Sequence, residues 1–370
     1  MHILFIASYA NSIVPFRGEL IKEMIKRGDT VSVCAPQISE DITQDVLAIG
    51  ATPITIVLQR NGLNPVSDLR YFRDLSNLIK KIKPDLVLTY TAKPNIWGSL
   101  AARANRTPCA SMVTGLGYAF TSNRTLKQVL LKFVLGRLYR FAMKKNMTVL
   151  FQNHDDLEEF AALGCLIDTS TANVINGSGV DTTHYGVASL PDKPVFLMIA
   201  RLLVNKGIRE YSQASKIVRQ THPDARFLLI GFLDPGPDGI SATELDSYTE
   251  SGIEYLGEKK DVRSSIANCS IYVLPSYREG TPRSVLEAMS MGRPIITTDV
   301  PGCKETVLEG KNGFLVPARN SKQLAEAMKS LADDQRLRSE FGTCSRTIAE
   351  QKYNVKNVNR DILRYLGMLA

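Results

Sequence analysis

The sequence predicts an α/β protein built as two doubly wound parallel-sheet domains. Three observations carry this expectation: short apolar runs alternate with amphipathic helices, the alternation halts once near residues 176–194, and the same pattern then restarts. At 370 residues and 44% hydrophobic composition, the chain is long enough to bury two cores.

In the first half, strands are expected at residues 2–7, 30–35, 53–58, 85–90, 109–113, 148–152 and 172–175. Each is a short apolar run of the kind that lies buried on both faces of a parallel sheet. Helices alternate with them: one from the loop 8–12 to Arg27, closed by Gly28, then 39–49, 65–82, 95–104, 124–145 and 155–163. Asn176-Gly177-Ser178-Gly179 and the polar run to Lys193-Pro194 read as a connection between domains, because glycine and proline punctuate it and the periodicity stops. The second half repeats the theme with strands at 195–200, 226–230, 253–256, 271–274, 295–298 and 314–316. Helices are expected at 207–220, 321–331 and 336–350, with others between the later strands, and residues 232–240 form a loop rich in Gly and Pro. A last amphipathic stretch, 355–369, has no strand after it. The expected domains are therefore 1–180 and 194–350, followed by a terminal segment, 351–370.

Composition excludes several classes. The six cysteines (34, 109, 165, 269, 303 and 344) lack C-x-x-C or metal-ligand spacing and read as small buried hydrophobes of a reducing compartment. No apolar run approaches membrane-spanning length and the start is too short for a signal sequence, so a cytoplasmic-side protein is expected. Residues 1–180 carry 20 Lys+Arg against 14 Asp+Glu, and residues 181–370 carry 25 against 23, so the basic excess belongs to the first half. A nucleic-acid-binding protein, which the pI of about 9.1 suggests, finds no recognised motif and only weak local clustering of charge.

The run 277–289, Tyr-Arg-Glu-Gly-Thr-Pro-Arg-Ser-Val-Leu-Glu-Ala-Met, follows the strand 271–274 and contains a helix start. Thr281 reads as the N-cap and Pro282 as the first helical position, where a preset φ suits and no N–H is needed. The amides of Arg283 and Ser284 then point out of a helix end whose dipole favours an anion, so Gly280 to Ser284 form a phosphate site. Glu287 lies about 5 Å further along the axis from Ser284, placed to accept hydrogen bonds from a ribose attached to that phosphate. Glu279 precedes the cap and reaches hydroxyls on the far side of the phosphate. Taken alone, two glutamates eight residues apart read more simply as a dipole partner and a solvated helix residue.

Ligands of open parallel sheets sit beyond the carboxyl ends of the strands, where Arg201 ends one strand and Lys206-Gly207 opens the next helix. Two cations facing a helix N-terminus suit a diphosphate, and they neutralise charge that develops on it as it departs.

With these elements in place, the chain resembles the retaining glycosyltransferases of family 4. The resemblance rests on Ala200-Arg201-Leu202, Lys206-Gly207, Pro275-Ser276, Glu279-Gly280 with Glu287-Ala288, Gly302-Cys303-Lys304-Glu305 and Asn312-Gly313-Phe314-Leu315-Val316, and it spans the whole chain. It implies the GT-B fold of two facing Rossmann-like domains, with the final helix crossing back to the first. It further implies that Glu287 binds the ribose, Glu279 the donor sugar, and Arg201 and Lys206 the donor diphosphate. Thr91-Ala92-Lys93-Pro94-Asn95 and Val113-Thr114-Gly115-Leu116-Gly117-Tyr118 are similar to bacterial surface-glycan transferases acting on undecaprenyl-diphosphate-linked sugars. A UDP-sugar donor and a polyprenyl-diphosphate-linked acceptor follow from that likeness. Many members carry His-Gly where this chain has Thr114-Gly115, and a paired glycine where it has Asn11-Ser12. Gly115 and Gly117 are expected to let the backbone approach the ligand closely.

Retention in this fold is explained without a protein base: the leaving phosphate takes the acceptor hydroxyl's proton on the same face. No Asp-x-Asp occurs, so two cations stand in for a divalent metal and no cofactor is expected. Nucleotide-sugar 2-epimerases share the fold but need an acid–base set in the cleft, and none of the four histidines matches one by position. Arg17 and Lys93, at the ligand edge of the first sheet, are expected either to meet the acceptor diphosphate with Thr114 or to be solvated cations. Finally, 124–145 carries Arg124, Lys127, Lys132, Arg137, Arg140, Lys144 and Lys145 and no acid, interleaved with large apolar residues. It is expected to attach the protein peripherally to an anionic membrane, on the inner face of the plasma membrane; the plainer expectation is a core helix whose cations reach out to solvent.

Overall fold

All the strands expected from the apolar runs are present. The structure, a computed structural model, describes residues 1–59, 64–116, 126–236 and 238–369. It divides into two units, Met1–Ser178 with Val358–Ala370, and Gly179–Asn357.

The first unit holds seven parallel strands: β1 (His2–Ile6), β2 (Thr30–Ala35), β3 (Thr52–Thr55), β4 (Leu86–Tyr90), β5 (Cys109–Val113), β6 (Thr148–Phe151) and β7 (Ala172–Val174). Their order is β3-β2-β1-β4-β5-β6-β7. Central strands are apolar throughout because both faces are covered, and β1 shows how. Ile3 and Phe5 point to one face, against Leu20, Ile21 and Met24 of the helix Ile13–Lys26. Leu4 and Ile6 point to the other, against Tyr71, Leu75 and Ile79 of the helix Pro65–Ile82. The terminal helix Val355–Tyr365 adds Val358, Ile362 and Leu363 to the Ile3–Phe5 face, so the end of the chain completes the first core, as the resemblance implies. The helix expected at 95–104 begins instead as a π-helical turn, Pro94–Gly98, before Ser99–Ala104.

The second unit has six parallel strands: β8 (Val195–Ile199), β9 (Arg226–Ile230), β10 (Ile253–Tyr255), β11 (Ile271–Leu274), β12 (Ile295–Thr298) and β13 (Gly313–Val316), ordered β10-β9-β8-β11-β12-β13. Segment 181–193, expected as a free connection, belongs to this unit. Three arginines bind it through its carbonyls. Arg293 donates to Ala188 and Ser189 at 2.9 and 3.1 Å, Arg338 to Asp192 at 2.8 Å, and Arg346 to Thr182 and Tyr185 at 3.0 and 3.1 Å. A segment without secondary structure leaves its carbonyls unpaired, and long cationic side chains satisfy them here. The unit boundaries accordingly fall at 178/179 and 357/358.

Candidate active site

In the second sheet the strand order reverses between β8 and β11, which sets the loops leaving their carboxyl ends, 200–207 and 275–282, side by side. Main-chain contacts lock them together. The Tyr277 amide donates to Asn205 O at 2.9 Å and Ser276 Oγ to the same carbonyl at 3.2 Å. Gly207 adopts φ 77°, and a Cβ there would stand 2.0 Å from Pro275 O. Gly302, at φ 82°, plays the same part on the other side, where a Cβ would stand 2.2 Å from Glu279 O. Both positions need glycine twice over, for backbone angle and for space.

This packing brings the expected donor residues together. Lys206 Nζ donates to Glu279 Oε1 at 2.5 Å, with both side chains largely buried. Arg201 Nη1 reaches Asp234 Oδ2 at 3.1 Å. Arg283 Nε donates to Glu287 Oε1 at 2.9 Å. Glu287 is 8% exposed, because its helix buries Val285, Leu286 and Met289 around it, so it is no solvated helix residue. Burial, and then the Glu287 carboxylate, raise the pKa of the neighbouring Tyr185 hydroxyl. Ser284 Oγ donates to Ile199 O at 3.1 Å, tying the start of this helix to the end of β8.

One detail differs from expectation. The helix is Arg283–Ser290, and Pro282, with φ −73° and ψ 107°, is its N-cap, so Thr281 lies outside. The proline ring suits φ near −65° at either position, and the extended ψ decides in favour of the cap. Sequence reasoning also missed three residues that shape this edge: Asp234, Asn205 and Tyr277. The Tyr277 hydroxyl donates to Glu210 Oε1 at 2.8 Å and is pushed up to about 12 by burial, with Glu210 adding to the rise. Asp234 opens the Gly- and Pro-rich loop after β9, and that position was its only signal.

At the first sheet's carboxyl edge neither expected cation is solvated. Lys93 Nζ donates to Asp68 Oδ1 at 2.7 Å and to Gln59 O at 2.8 Å, in a largely buried pair. Arg17 is 2% exposed and stacks over the Tyr90 ring at 5.5 Å. Thr91, a β-branched residue at φ 75°, donates through Oγ1 to Ser8 Oγ at 2.7 Å. Thr114 and Gly115 follow β5 half-buried, Gly115 at φ 128°, while Gly117 lies outside the described residues. Among the described residues no group of three or more His, Cys, Asp or Glu side chains is placed to hold a metal ion.

Comparison with known proteins bears on both units. Residues 2–153 match the family described as "Glycosyl transferase 4-like" and residues 193–334 "Glycosyl transferases group 1". The N,N'-diacetylbacillosaminyl-diphospho-undecaprenol alpha-1,3-N-acetylgalactosaminyltransferase of Campylobacter jejuni is 30% identical over 99% of this chain and 95% of its own length. The chain is a glycosyltransferase of this family. The UDP-Gal:alpha-D-GlcNAc-diphosphoundecaprenol alpha-1,3-galactosyltransferase of Escherichia coli is 27% identical over 84% of the transferase and 82% of its own length. Among solved structures, Anabaena HepE in complex with UDP and glucose has a TM-score of 0.82 at 18% identity, covering 100% of each chain. That likeness is one of fold, and with it the two Rossmann-like units are those of GT-B.

The transferase presents a second surface on the helix Leu126–Met143. One side packs inward through Tyr139, Ala142 and Met143, and Gly136 sits there because a Cβ would meet Cys165 Sγ at 3.3 Å. The other side exposes Val129, Leu130, Phe133, Val134 and Phe141. The cations divide the same way. Lys132 pairs with Glu159 at 3.1 Å and Arg140 donates to Gly164 O and Leu166 O at 3.3 and 3.1 Å, whereas Arg137 lies over the Phe133 ring at 5.0 Å among the exposed apolar side chains. Lys144 and Lys145 are exposed just beyond the helix. Lys132 and Arg140 therefore serve the domain. Arg124 lies outside the described residues, as does the Lys127 side chain. No helix among the described residues is long and apolar enough to cross a membrane.

Proposed function

We propose that the transferase moves a hexose or N-acetylhexosamine, with retention, from a UDP-sugar to a polyprenyl-diphosphate-linked saccharide in surface-glycan assembly. The observation that carries this reading is the Lys206–Glu279 pair set beside the helix that begins at Arg283. In this reading the donor diphosphate lies on Gly280 to Ser284 at that helix end, neutralised by Arg201 and Lys206, and Glu287 accepts from the ribose hydroxyls. Lys206 then turns to the diphosphate, and Glu279 orients the sugar. The bond from anomeric carbon to phosphate oxygen breaks, the acceptor oxygen bonds to that carbon on the same face, and its proton passes to the departing phosphate oxygen. Positioning and charge stabilisation then supply the rate, and the two cations make a divalent metal unnecessary.

The acceptor belongs with the first sheet's edge, at Thr114, Gly115 and Lys93, whose ammonium would pass from Asp68 to the acceptor diphosphate; Arg17 supports that edge from beneath. Attachment to the inner face of the plasma membrane fits the exposed apolar side of the helix Leu126–Met143, with Arg137, Lys144 and Lys145 meeting anionic headgroups. The test is direct: incubate the protein with UDP-N-acetylgalactosamine, UDP-N-acetylglucosamine, UDP-galactose and UDP-glucose, each with an undecaprenyl-diphosphate-linked N-acetylhexosamine, and identify products by mass. A product one sugar heavier from one donor supports the reading, and UDP release without any glycosylated lipid overturns it.

A further inference from the structure

Arg201 stands alone among the donor-edge cations in being held by a residue that the functional reading does not use. Its partner, Asp234, sits in the loop after β9, and that loop closes over the 200–206 segment from end to end. The Leu202 amide donates to Phe232 O at 3.0 Å, the Val204 amide to Asp238 O at 2.8 Å, and the Ile240 amide to Leu202 O at 2.9 Å. Isolated bridges join Leu202 to Leu233 and Leu203 to Gly239. The loop is therefore a clasp around the segment that carries Arg201.

Within the clasp, the two oxygens of Asp234 do different work. Oδ1 accepts from the Gly236 amide at 2.8 Å, which folds the loop on itself. Oδ2 takes one N–H of Arg201, from Nη1 at 3.1 Å. The contact is a single hydrogen bond, so the remaining guanidinium donors can still bind a diphosphate. The carboxylate is the better buried partner, its side chain 19% exposed against 44% for Arg201. A well-buried acid that takes one terminal N–H of a half-exposed arginine limits where the guanidinium can turn, whereas a cation captured for itself would be taken bidentately.

We propose that Asp234 is a positioning residue for donor binding, holding the Arg201 guanidinium ordered towards the diphosphate. This rests on the reading of Arg201 as a diphosphate ligand. Two effects oppose each other when the carboxylate is lost: Arg201 regains rotamer freedom, and a negative charge near the diphosphate disappears. The second acts through solvent and is screened, so the first wins.

Asp234→Asn separates the two oxygens, because the amide oxygen still accepts from Gly236 while its NH2 group cannot accept from Arg201. With UDP as probe and calorimetry as readout, Asp234→Asn is expected to weaken binding about five- to tenfold, the ordering cost of one arginine side chain. Arg201→Ala weakens it further, and Asp234→Asn added to Arg201→Ala changes nothing more, with unfolding temperatures held throughout. An undiminished loss in the double variant would mean that Asp234 acts without Arg201, and a lowered unfolding temperature with UDP affinity intact would make it structural; either overturns the inference. Unchanged affinity in Asp234→Asn beside a strong loss in Arg201→Ala also overturns it while leaving the reading of Arg201 standing. Unchanged affinity in Arg201→Ala removes that reading itself.

Discussion

Glu287→Ala is the sharpest test of the donor site. The carboxylate it removes is 8% exposed, accepts a 2.9 Å hydrogen bond from Arg283 Nε and lies beside the Tyr185 hydroxyl. In the proposed reading its remaining lone pairs accept from the ribose hydroxyls. A hydrogen bond to a charged group contributes about 1.5–3 kcal/mol, and 1.4 kcal/mol is a factor of ten. UDP affinity is therefore expected to fall about 10- to 150-fold. One effect opposes this: Arg283, released from Glu287, can turn towards the phosphates. That compensation grows with the number of phosphates, whereas the ribose contact does not. Calorimetric titration with uridine, UMP and UDP separates the two, the loss being largest for uridine and smallest for UDP. Because the Arg283–Glu287 pair is largely buried, the unfolding temperature is measured on the same variant, and the affinity loss is read at a temperature where the variant stays folded. Unchanged affinity for all three ligands removes Glu287 from the ribose. A loss confined to UDP would place it on the diphosphate instead.

Four further outcomes are expected. Glu279→Gln lowers turnover while UDP affinity is kept or increased, since Lys206 loses its carboxylate partner; UDP affinity falling in step with turnover contradicts this. Excess chelator leaves activity intact and Arg201→Ala abolishes it, an expectation that fails if activity dies with chelator and returns with magnesium. The protein sediments with anionic but not neutral liposomes, reversibly with salt, and Arg137→Glu with Lys144→Glu and Lys145→Glu releases it, while Lys132→Glu acts instead by breaking its pair with Glu159; equal binding to both liposome types rules the attachment out. Burial pushes the thiols of Cys34, Cys109, Cys165, Cys269 and Cys303 up to about 12, so native protein is alkylated by iodoacetamide at Cys344 alone. The linkage sign follows: the unfolded chain releases these protons near the ordinary value of 9.0 and the folded chain keeps them to about 12, so stability falls as pH rises through that window. Label at a buried cysteine, or constant stability across the window, contradicts it.

What the sequence disclosed follows from the range of the forces involved. Strands such as 271–274 were legible because a strand covered on both faces has to be apolar throughout, which is a local property. The helix start at Arg283 was legible to within one residue, because glycine, proline and a short polar run mark such a turn locally. The pairing of Lys206 with Glu279 was not, since 73 residues separate them and only the reversal of strand order between β8 and β11 joins their loops. Segment 181–193 misled for the same reason. It has no periodicity of its own, and the arginines that satisfy its carbonyls stand at 293, 338 and 346. In the helix Leu126–Met143 the composition announced two apolar sides, yet which cations belonged to the outer one depended on Glu159 and on the carbonyls of Gly164 and Leu166.

The three ion pairs also bear on how such a site stays folded before it is filled. Arg201, Lys206 and Arg283 stand at one edge of the second sheet, and uncompensated they would repel one another. Asp234, Glu279 and Glu287 remove that repulsion locally. In the proposed reading two of these carboxylates have a second task, Glu279 on the donor sugar and Glu287 on the ribose. In that reading the diphosphate draws Lys206 away from Glu279 as the acid turns to the sugar. On the proposed reading, phosphate binding and sugar orientation are coupled through the Lys206–Glu279 pair. On the same reading a nucleoside monophosphate engages fewer of these cations and has less power to drive the exchange, so UMP is expected to bind more weakly than UDP by an amount that Lys206→Ala reduces.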